Sequence, residues 1–110
     1  MAIKGNLVID QGTDFSAAID VASPDGSGYP LTGHTASAQM RKNYASSAAY
    51  DFDTAINVPS SQIELSMSST ITQDIEPGRY LYDLEITSGA GEITRVVEGI
   101  VTVTPGITRQ

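Results

Sequence analysis

The chain has 110 residues, and we expect residues 1–110 to form a single domain. It contains no cysteine, which excludes disulfides, thiolate metal sites and thiol nucleophiles. Thirteen acidic residues against six Lys and Arg give a net charge of −7, which argues against a nucleic-acid partner. The apolar runs are too short for a membrane span, and the first residues lack the apolar stretch of a secretory signal, so we expect no membrane partner and folding in a cytoplasm.

Apolar and polar residues alternate along most of the chain, as in antiparallel sheets with one buried face. In chain order, this alternation predicts strands at residues 3–9, 15–21, 35–41, 51–58, 62–67, 79–87 and 92–104. Segments rich in Gly, Pro, Ser and Asp separate them, and residues 43–49 lack a pattern and predict a loop. About seven short strands without a long helix predict an all-β fold, an antiparallel β-sandwich.

Two local features interrupt this pattern. Residues 68–75 are the one helical candidate, of one or two turns, because Thr70 and Gln73 have the spacing of a capping box and Pro77 follows. In the last run, one parity carries Ile93, Val97, Val101 and Val103, which predicts a shared face, and the other carries Val96 and Ile100, on either side of Glu98-Gly99. A glycine at such a point indicates either a bulge or a strand that changes neighbours midway.

The segment Glu76-Pro77-Gly78-Arg79-Tyr80-Leu81-Tyr82 is the most specific motif. Immunoglobulin-like domains carry Gly-x-Tyr-x-Cys here, and the tyrosine hydroxyl returns to the upstream backbone as a tyrosine corner. We therefore predict a corner formed by Gly78 and Tyr80, with Tyr82 filling the volume of the cysteine. The alternative is a stacking platform of the two tyrosines for a sugar or a base.

Further motifs, spread over nearly the whole chain, resemble a family of small tailed-phage proteins. They are Ile9-Asp10-Gln11-Gly12 with Phe15, Leu31-Thr32-Gly33-His34-Thr35-Ala36, Gln39-Met40-Arg41, residues 77–85, Arg95 with Glu98-Gly99, and residues 101–109. The chain resembles the immunoglobulin-like domain at the N-terminus of phage upper baseplate proteins. This resemblance implies an immunoglobulin-like sandwich, a structural role in the virion after assembly in the bacterial cytoplasm, and no catalytic residues.

Residues that carry enzyme chemistry are sparse. His34 is the single histidine, no Gly-x-Ser-x-Gly elbow occurs, and we interpret His34 as a loop residue. Asp51 and Asp53 share a strand face, and Asp10 and Asp14 flank a glycine, but no calcium-loop motif is present. We interpret these carboxylates as surface acids, with adventitious calcium as the alternative. The chain is therefore predicted not to be an enzyme, with no catalytic residue, metal, cofactor or small-molecule substrate.

The function that we predict is that of a phage virion structural protein of the tail or baseplate. Its partners would be other virion proteins and further copies of itself in a symmetric assembly, joined through edge strands and loops. Residues 100–104 are a second edge candidate beside residues 3–9. The candidate interface residues are Ile3, Leu7, Ile9, Tyr44 and Tyr50.

Two alternatives remain open at this point. Within the virion, the alternative is a capsid decoration or cement protein. Outside that class, the alternative is an adhesive module that binds glycans. Such sites usually offer aromatic platforms, and in the absence of Trp the candidates are Tyr29, Tyr44 and Tyr50.

Overall fold

The computed structural model describes residues 3–21, 29–43 and 49–106. Within these ranges the chain forms eight strands and one short helix, which confirms the predicted all-β fold. The elements are β1 (Ile3–Lys4), β2 (Leu7–Asp10), β3 (Phe15–Asp20), β4 (Thr35–Arg41), β5 (Tyr50–Asn57), β6 (Gln62–Met67), α1 (Ser69–Thr72), β7 (Gly78–Thr87) and β8 (Ile93–Thr104).

The strands form two layers. In the first layer β1 and β2 lie beside β8, followed by β7, β4 and the beginning of β5. The second layer contains the rest of β5, then β6 and β3. β5 thus joins the layers on one side, whereas a short turn joins β2 to β3 on the other. This strand order is that of an immunoglobulin-like β-sandwich, as predicted.

The opening run differs from its prediction in two respects. It forms two strands instead of one, because the chain leaves the strand path at Gly5 and Asn6. Both strands run parallel to β8, so the sheet is mixed and the expectation of a purely antiparallel sandwich is wrong. In this topology the opening strands, β1 and β2, lie beside the last strand, β8, and run in the same direction as it does.

The core lies between the layers and comes from the alternation that the sequence shows. Each strand points every second side chain inward, and burying each large apolar side chain contributes about 1.5–3 kcal/mol. The side chains with at most 2% exposure include Ile9, Leu31, Met40, Ile63, Leu65, Met67, Ile75, Leu84, Ile86, Val101 and Val103.

The irregularity in β8 lies at Val96 and not at Gly99. Leu84 pairs with Val97 and Glu85 with Arg95, so Val96 is an extra residue that reverses the parity of the strand. Val96 is therefore buried, while Ile93, predicted to share the face of Val97, is 66% exposed.

The helix has about one turn, within the predicted one or two, but the predicted capping box is absent. α1 covers four residues and its N-cap is Ser68, whose side chain makes no capping hydrogen bond; Thr70, the predicted cap, lies inside the helix. The N–H of Ser69 instead donates to Asp14 Oδ1 at 2.7 Å, and Thr72 Oγ1 donates to the Thr13 carbonyl at 2.7 Å. The turn between β2 and β3 therefore holds the helix in place.

Candidate interaction surface

Tyr80 makes the contact that defines a tyrosine corner. It is 5% exposed, and its hydroxyl donates to the Glu76 carbonyl oxygen at 2.7 Å. Gly78 begins β7 with a φ of +144°, which L side chains rarely adopt. A Cβ at Gly78 would lie 2.7 Å from Lys42 Nζ, the ammonium above the Tyr80 ring. Both the hydroxyl and the ring of Tyr80 are thus in contact with other residues of the chain.

Tyr82 ties the core to the opening strands. It is 4% exposed, its ring lies edge-on to Phe52 at 6.3 Å, and its hydroxyl donates to the carbonyl oxygen of Gly5. Burial raises the pKa of Tyr80 and of Tyr82 above the ordinary value of 10.0. Because both rings are buried and both hydroxyls are used, the geometry favours a structural role over a stacking platform.

Gly99 marks the point where β8 exchanges one neighbour for another. β1 pairs with β8 up to Glu98, and β2 pairs with it from Val101 onward. A Cβ on Gly99 would lie 2.8 Å from the carbonyl carbon of Gly5 and closer still to its oxygen. Of the two predicted readings of this glycine, the change of neighbours is the one observed.

The five candidate interface residues lie in different environments. Ile9 is fully buried, so its assignment to an interface is wrong; the odd residues of β2 face the core. Leu7 and Tyr50 are half-buried and pack against that core. Ile3 contributes backbone pairing to β8, and Tyr44 lies outside the described residues.

Residues 100–104 do not form an edge. They belong to β8, which has β7 on one side and β2 on the other, so its backbone groups are paired in both directions. The prediction that this run adds a strand to a partner is wrong. Its composition is that of a central strand, and the absence of Lys and Pro there follows from this position.

The outer edge of β2 is open in the described part of the fold. The N–H groups of Gly5 and Gln11 donate to carbonyls of β8. Since N–H direction alternates along a parallel strand, the even-numbered residues point theirs away from β8. Within β2 these residues are Val8 and Asp10, and the Val8 side chain is 60% exposed.

Side chains bind this edge to the rest of the fold. They link the opening strands and the following turn to residues far along the chain. Asn6 Oδ1 accepts from Ile100 N at 3.1 Å, Thr104 Oγ1 donates to Asp10 Oδ1 at 2.7 Å, and the Gln11 amide donates to the Ile75 carbonyl at 2.9 Å and accepts from Gly106 N at 3.1 Å.

β3 forms a second open edge, which the sequence pattern did not predict. Within the described residues it pairs only with β6. The N–H of Val21 donates to the Ser61 carbonyl at 2.9 Å, so odd-numbered residues are those hydrogen-bonded to β6. Ser16, Ala18 and Asp20 therefore direct their backbone groups away from the sheet, and their side chains are exposed. Alternation reveals a strand but not how many neighbours it has.

A polar depression lies on the outer face of the first layer, over β4, β7 and β8. Arg95 contacts Asp83 Oδ2 at 3.3 Å and Glu98 Oε1 at 3.1 Å. The hydrogen bond to Glu98 and the Asp83 carboxylate raise the pKa of Arg95. Nearby, Arg41 donates to Gln39 Oε1 at 3.1 Å. The surface is open, and the Arg95 guanidinium is paired there with two carboxylates.

The remaining chemical candidates are loop or surface groups. His34 Nδ1 lies 3.2 Å from the Thr32 carbonyl oxygen, and its ring meets the half-buried ring of Tyr29 edge-on at 5.8 Å. Asp51 accepts a hydrogen bond from Gln39 at 2.7 Å. Among the described residues, no three His, Asp or Glu side chains are grouped to hold a metal ion. The described part of the chain contains no helix of the length and apolarity needed to cross a membrane.

Comparisons with known proteins support the fold and indicate no particular function. No family model and no curated protein sequence matches the chain. Among solved structures 176 chains match, so the architecture is a common one that does not indicate a particular function. One of them is an internalin-like protein of Listeria monocytogenes, with a TM-score of 0.54 and 16% identity. The match covers 94% of this chain and 28% of the Listeria chain, so this chain spans less than a third of that protein.

Proposed function

We propose that the protein is a structural component of a phage virion, in the tail or baseplate, that works by assembling with other proteins. The observation that carries this proposal is the open side of the sandwich, where β2 and β3 each have one sheet neighbour within the described residues. Open edges are a hazard for a free monomer and useful for a subunit that pairs with others. The proposal that the assembly is a phage particle rests on the motifs that resemble phage baseplate domains.

The positions of those motifs are consistent with a structural protein. Gln11 fastens the turn after β2, Gly78 and Tyr80 form the corner, and Arg95 and Glu98 pair on the outer face. These three motifs thus make contacts within the chain itself. The proposal therefore needs no catalytic group, and it places the function in surfaces presented to neighbouring subunits.

Two other functions remain candidates with less support. Capsid decoration would use the same open edges and differs only in location. Glycan binding has less support, since Tyr29 and Tyr50 are half-buried against the core and each already meets another ring edge-on. Tyr44 lies outside the described residues.

The test of location is a mass-spectrometric inventory of purified tails and capsids. We expect peptides of this chain in tail fractions in a fixed ratio to other tail proteins. Recovery in capsids alone would favour the decoration role, and absence from both would overturn the proposal.

The test of mechanism is a substitution at the open edge. Removing residues 1–5 is a poor probe, because Gly5 accepts the Tyr82 hydrogen bond and the truncation would loosen the core. Val8→Lys is better, since it places a charge on an exposed edge residue without touching that contact. Thr70→Lys on the exposed face of α1 is the charge-matched control. We expect Val8→Lys, but not the control, to incorporate poorly into particles.

A further inference from the structure

The edge of β3 leaves apolar surface that the domain itself does not cover. The inward residues of the neighbouring strand β6, Ile63, Leu65 and Met67, are at most 1% exposed. The corresponding residues of β3, Phe15, Ala17 and Ile19, are only half-buried, although they face the same core. The edge thus offers free backbone groups on Ser16, Ala18 and Asp20 together with partly exposed apolar side chains.

Apart from the charged residue at its end, Asp20, β3 lacks the common protections of an edge strand. Its sequence, Phe-Ser-Ala-Ala-Ile-Asp, contains no Lys or Pro, and it pairs with β6 through all six residues without a bulge. The second half of β5 also has one neighbouring strand in its layer, but Thr54 Oγ1 there donates to the Ala36 carbonyl at 3.1 Å. β3 therefore presents a regular edge without a bulge, Lys or Pro in the described fold.

The sequence of β3 is complementary to itself in one antiparallel register. Outward-facing backbone groups must pair with outward-facing ones, so even-numbered residues oppose even-numbered residues. A two-fold axis at Ala18 places Ala18 opposite its own copy and Ser16 opposite Asp20 of the second copy. The three pairs would form about six backbone hydrogen bonds. The serine hydroxyl can donate to the opposing carboxylate.

Neighbouring registers are less favourable. An axis at Ala17 places Asp14, whose carboxylate holds the Ser69 N–H, opposite Asp20. An axis at Asp20 places two carboxylates opposite each other. Like charges directly across a strand pair are destabilising. The charge pattern therefore disfavours both of these registers. An axis at Ile19 would place Asp20 opposite Ala18, which offers no hydroxyl to the carboxylate, so the Ser16–Asp20 pairs favour the register centred on Ala18.

We propose that two copies of this chain join edge to edge through β3, antiparallel and centred on Ala18. The layers β5-β6-β3 of both copies become one continuous sheet, and Ile19 of each copy covers Ala17 of the other on the core side. For its biological meaning this inference rests on the proposed role in assembly, and it names the partner at one edge as a second copy.

The first experiment uses single cysteines in a chain that has none. In the proposed register the two Ala18 Cα atoms lie about 5.5 Å apart, within the range of about 4.4–6.8 Å that disulfides span. Ala18→Cys should therefore form a disulfide-linked dimer under mild oxidation. Ala55→Cys is the matched control, because Ala55 is also exposed and opposite Glu64, but its backbone pairs with β6. Equal cross-linking of both variants, or of neither, would overturn the proposal.

The second experiment measures the dimer without cross-linking. We expect sedimentation of the wild-type chain to show a monomer–dimer equilibrium. Ala18→Lys, which opposes two lysines across the axis, should raise the dissociation constant by about tenfold or more. Ala55→Lys adds the same charge beside the same Glu64 and should leave the constant unchanged. A wild type that is monomeric at all concentrations, or an equal effect of both lysines, would contradict the inference; circular dichroism establishes that each variant is folded.

These outcomes are separable from those of the proposed function. A chain that dimerises through β3 in solution but is absent from tails and capsids would overturn the virion role and leave the dimer standing. A chain that is present in tails but never cross-links at Ala18 would do the reverse.

Discussion

The two open edges of the sandwich are attached to the fold in different ways. β2 is held by its ladder to β8 and also by side chains of Asn6, Asp10 and Gln11 that bind distant residues. β3 has its ladder to β6 and, on its outer face, one exposed contact from Gln62 Nε2 to Asp20 Oδ1 at 2.7 Å. An open-edge strand can therefore be tied to the rest of the domain by side-chain hydrogen bonds as well as by its ladder, as β2 is. It can also be attached by little more than its ladder on the outer face, as β3 is.

The largest expected effect breaks the attachment of the opening strands. Tyr82→Ala should lower the free energy of unfolding by about 3–5 kcal/mol through the cavity that it leaves. Tyr82→Phe should lower it by about 1–2 kcal/mol, because the Gly5 carbonyl loses its partner. Urea denaturation measures both. Tyr50→Phe, whose hydroxyl has no hydrogen bond among the described residues, is the control and should be nearly neutral.

The next effect concerns the close approach of β8 to the opening strands. Gly99→Ala should cost about 1–3 kcal/mol, since a Cβ there overlaps the backbone of Gly5. Gly89→Ala is the matched control, because its Cβ would meet nothing closer than the Gly33 carbonyl oxygen at 3.8 Å. Equal stability of the two variants in the same denaturation assay would mean that the strands can separate here without cost.

A smaller effect is expected at the turn that joins the two edges. Asp14→Ala removes the acceptor for the Ser69 N–H at the start of α1 and should cost about 1 kcal/mol. Asp53→Ala makes the same change of charge at an exposed strand position and should cost less. If both variants melt at the same temperature, the helix does not depend on this contact.

Alkaline pH should weaken the attachment of the opening strands, because it deprotonates the Tyr82 hydroxyl that donates to the Gly5 carbonyl oxygen. Burial raises the pKa of Tyr82 above 10.0 in the folded chain, so its contribution to stability is complete below pH 10 and falls as the pH rises further. Thermal melting at increasing pH measures this. Tyr82→Phe should lose less stability over that range than the wild type, and an identical slope would contradict the assignment.

The smallest effect is predicted at the β3 edge. Asp20→Ala removes an exposed contact and should change the stability of the dilute monomer by less than about 0.5 kcal/mol. If Asp20→Ala lowers the free energy of unfolding of the dilute protein by more than about 1 kcal/mol, the β3 edge is tied to the rest of the domain as β2 is.

The sequence predicts the strands well and their neighbours poorly. The alternations at Thr35–Arg41 and Gln62–Met67 mark those strands without error, because burial of one face leaves its period in the chain. The change of parity in the last strand is visible in the sequence, but its position at Val96 is not, because Val96 and Val97 are both apolar and both buried. The interface role predicted for Ile9 fails for a related reason. The sequence of an apolar strand does not tell whether its apolar side chains lie at an exposed edge or in the core. Pairing partners are set by the topology, and so the edge at β3 appears only in three dimensions.

The pairing of the first strands with the last has a consequence for the order of events during synthesis. Residues Leu7–Asp10 find their place only beside Val101–Thr104, so sheet closure waits until those residues have left the ribosome. At about 5–20 residues per second, that delay is roughly 5–20 s. During this time the opening segment has no partner in its own chain, and the long separation of the contacts slows its docking once the chain is made. Chaperones that hold exposed apolar segments would meet this domain through residues 3–10.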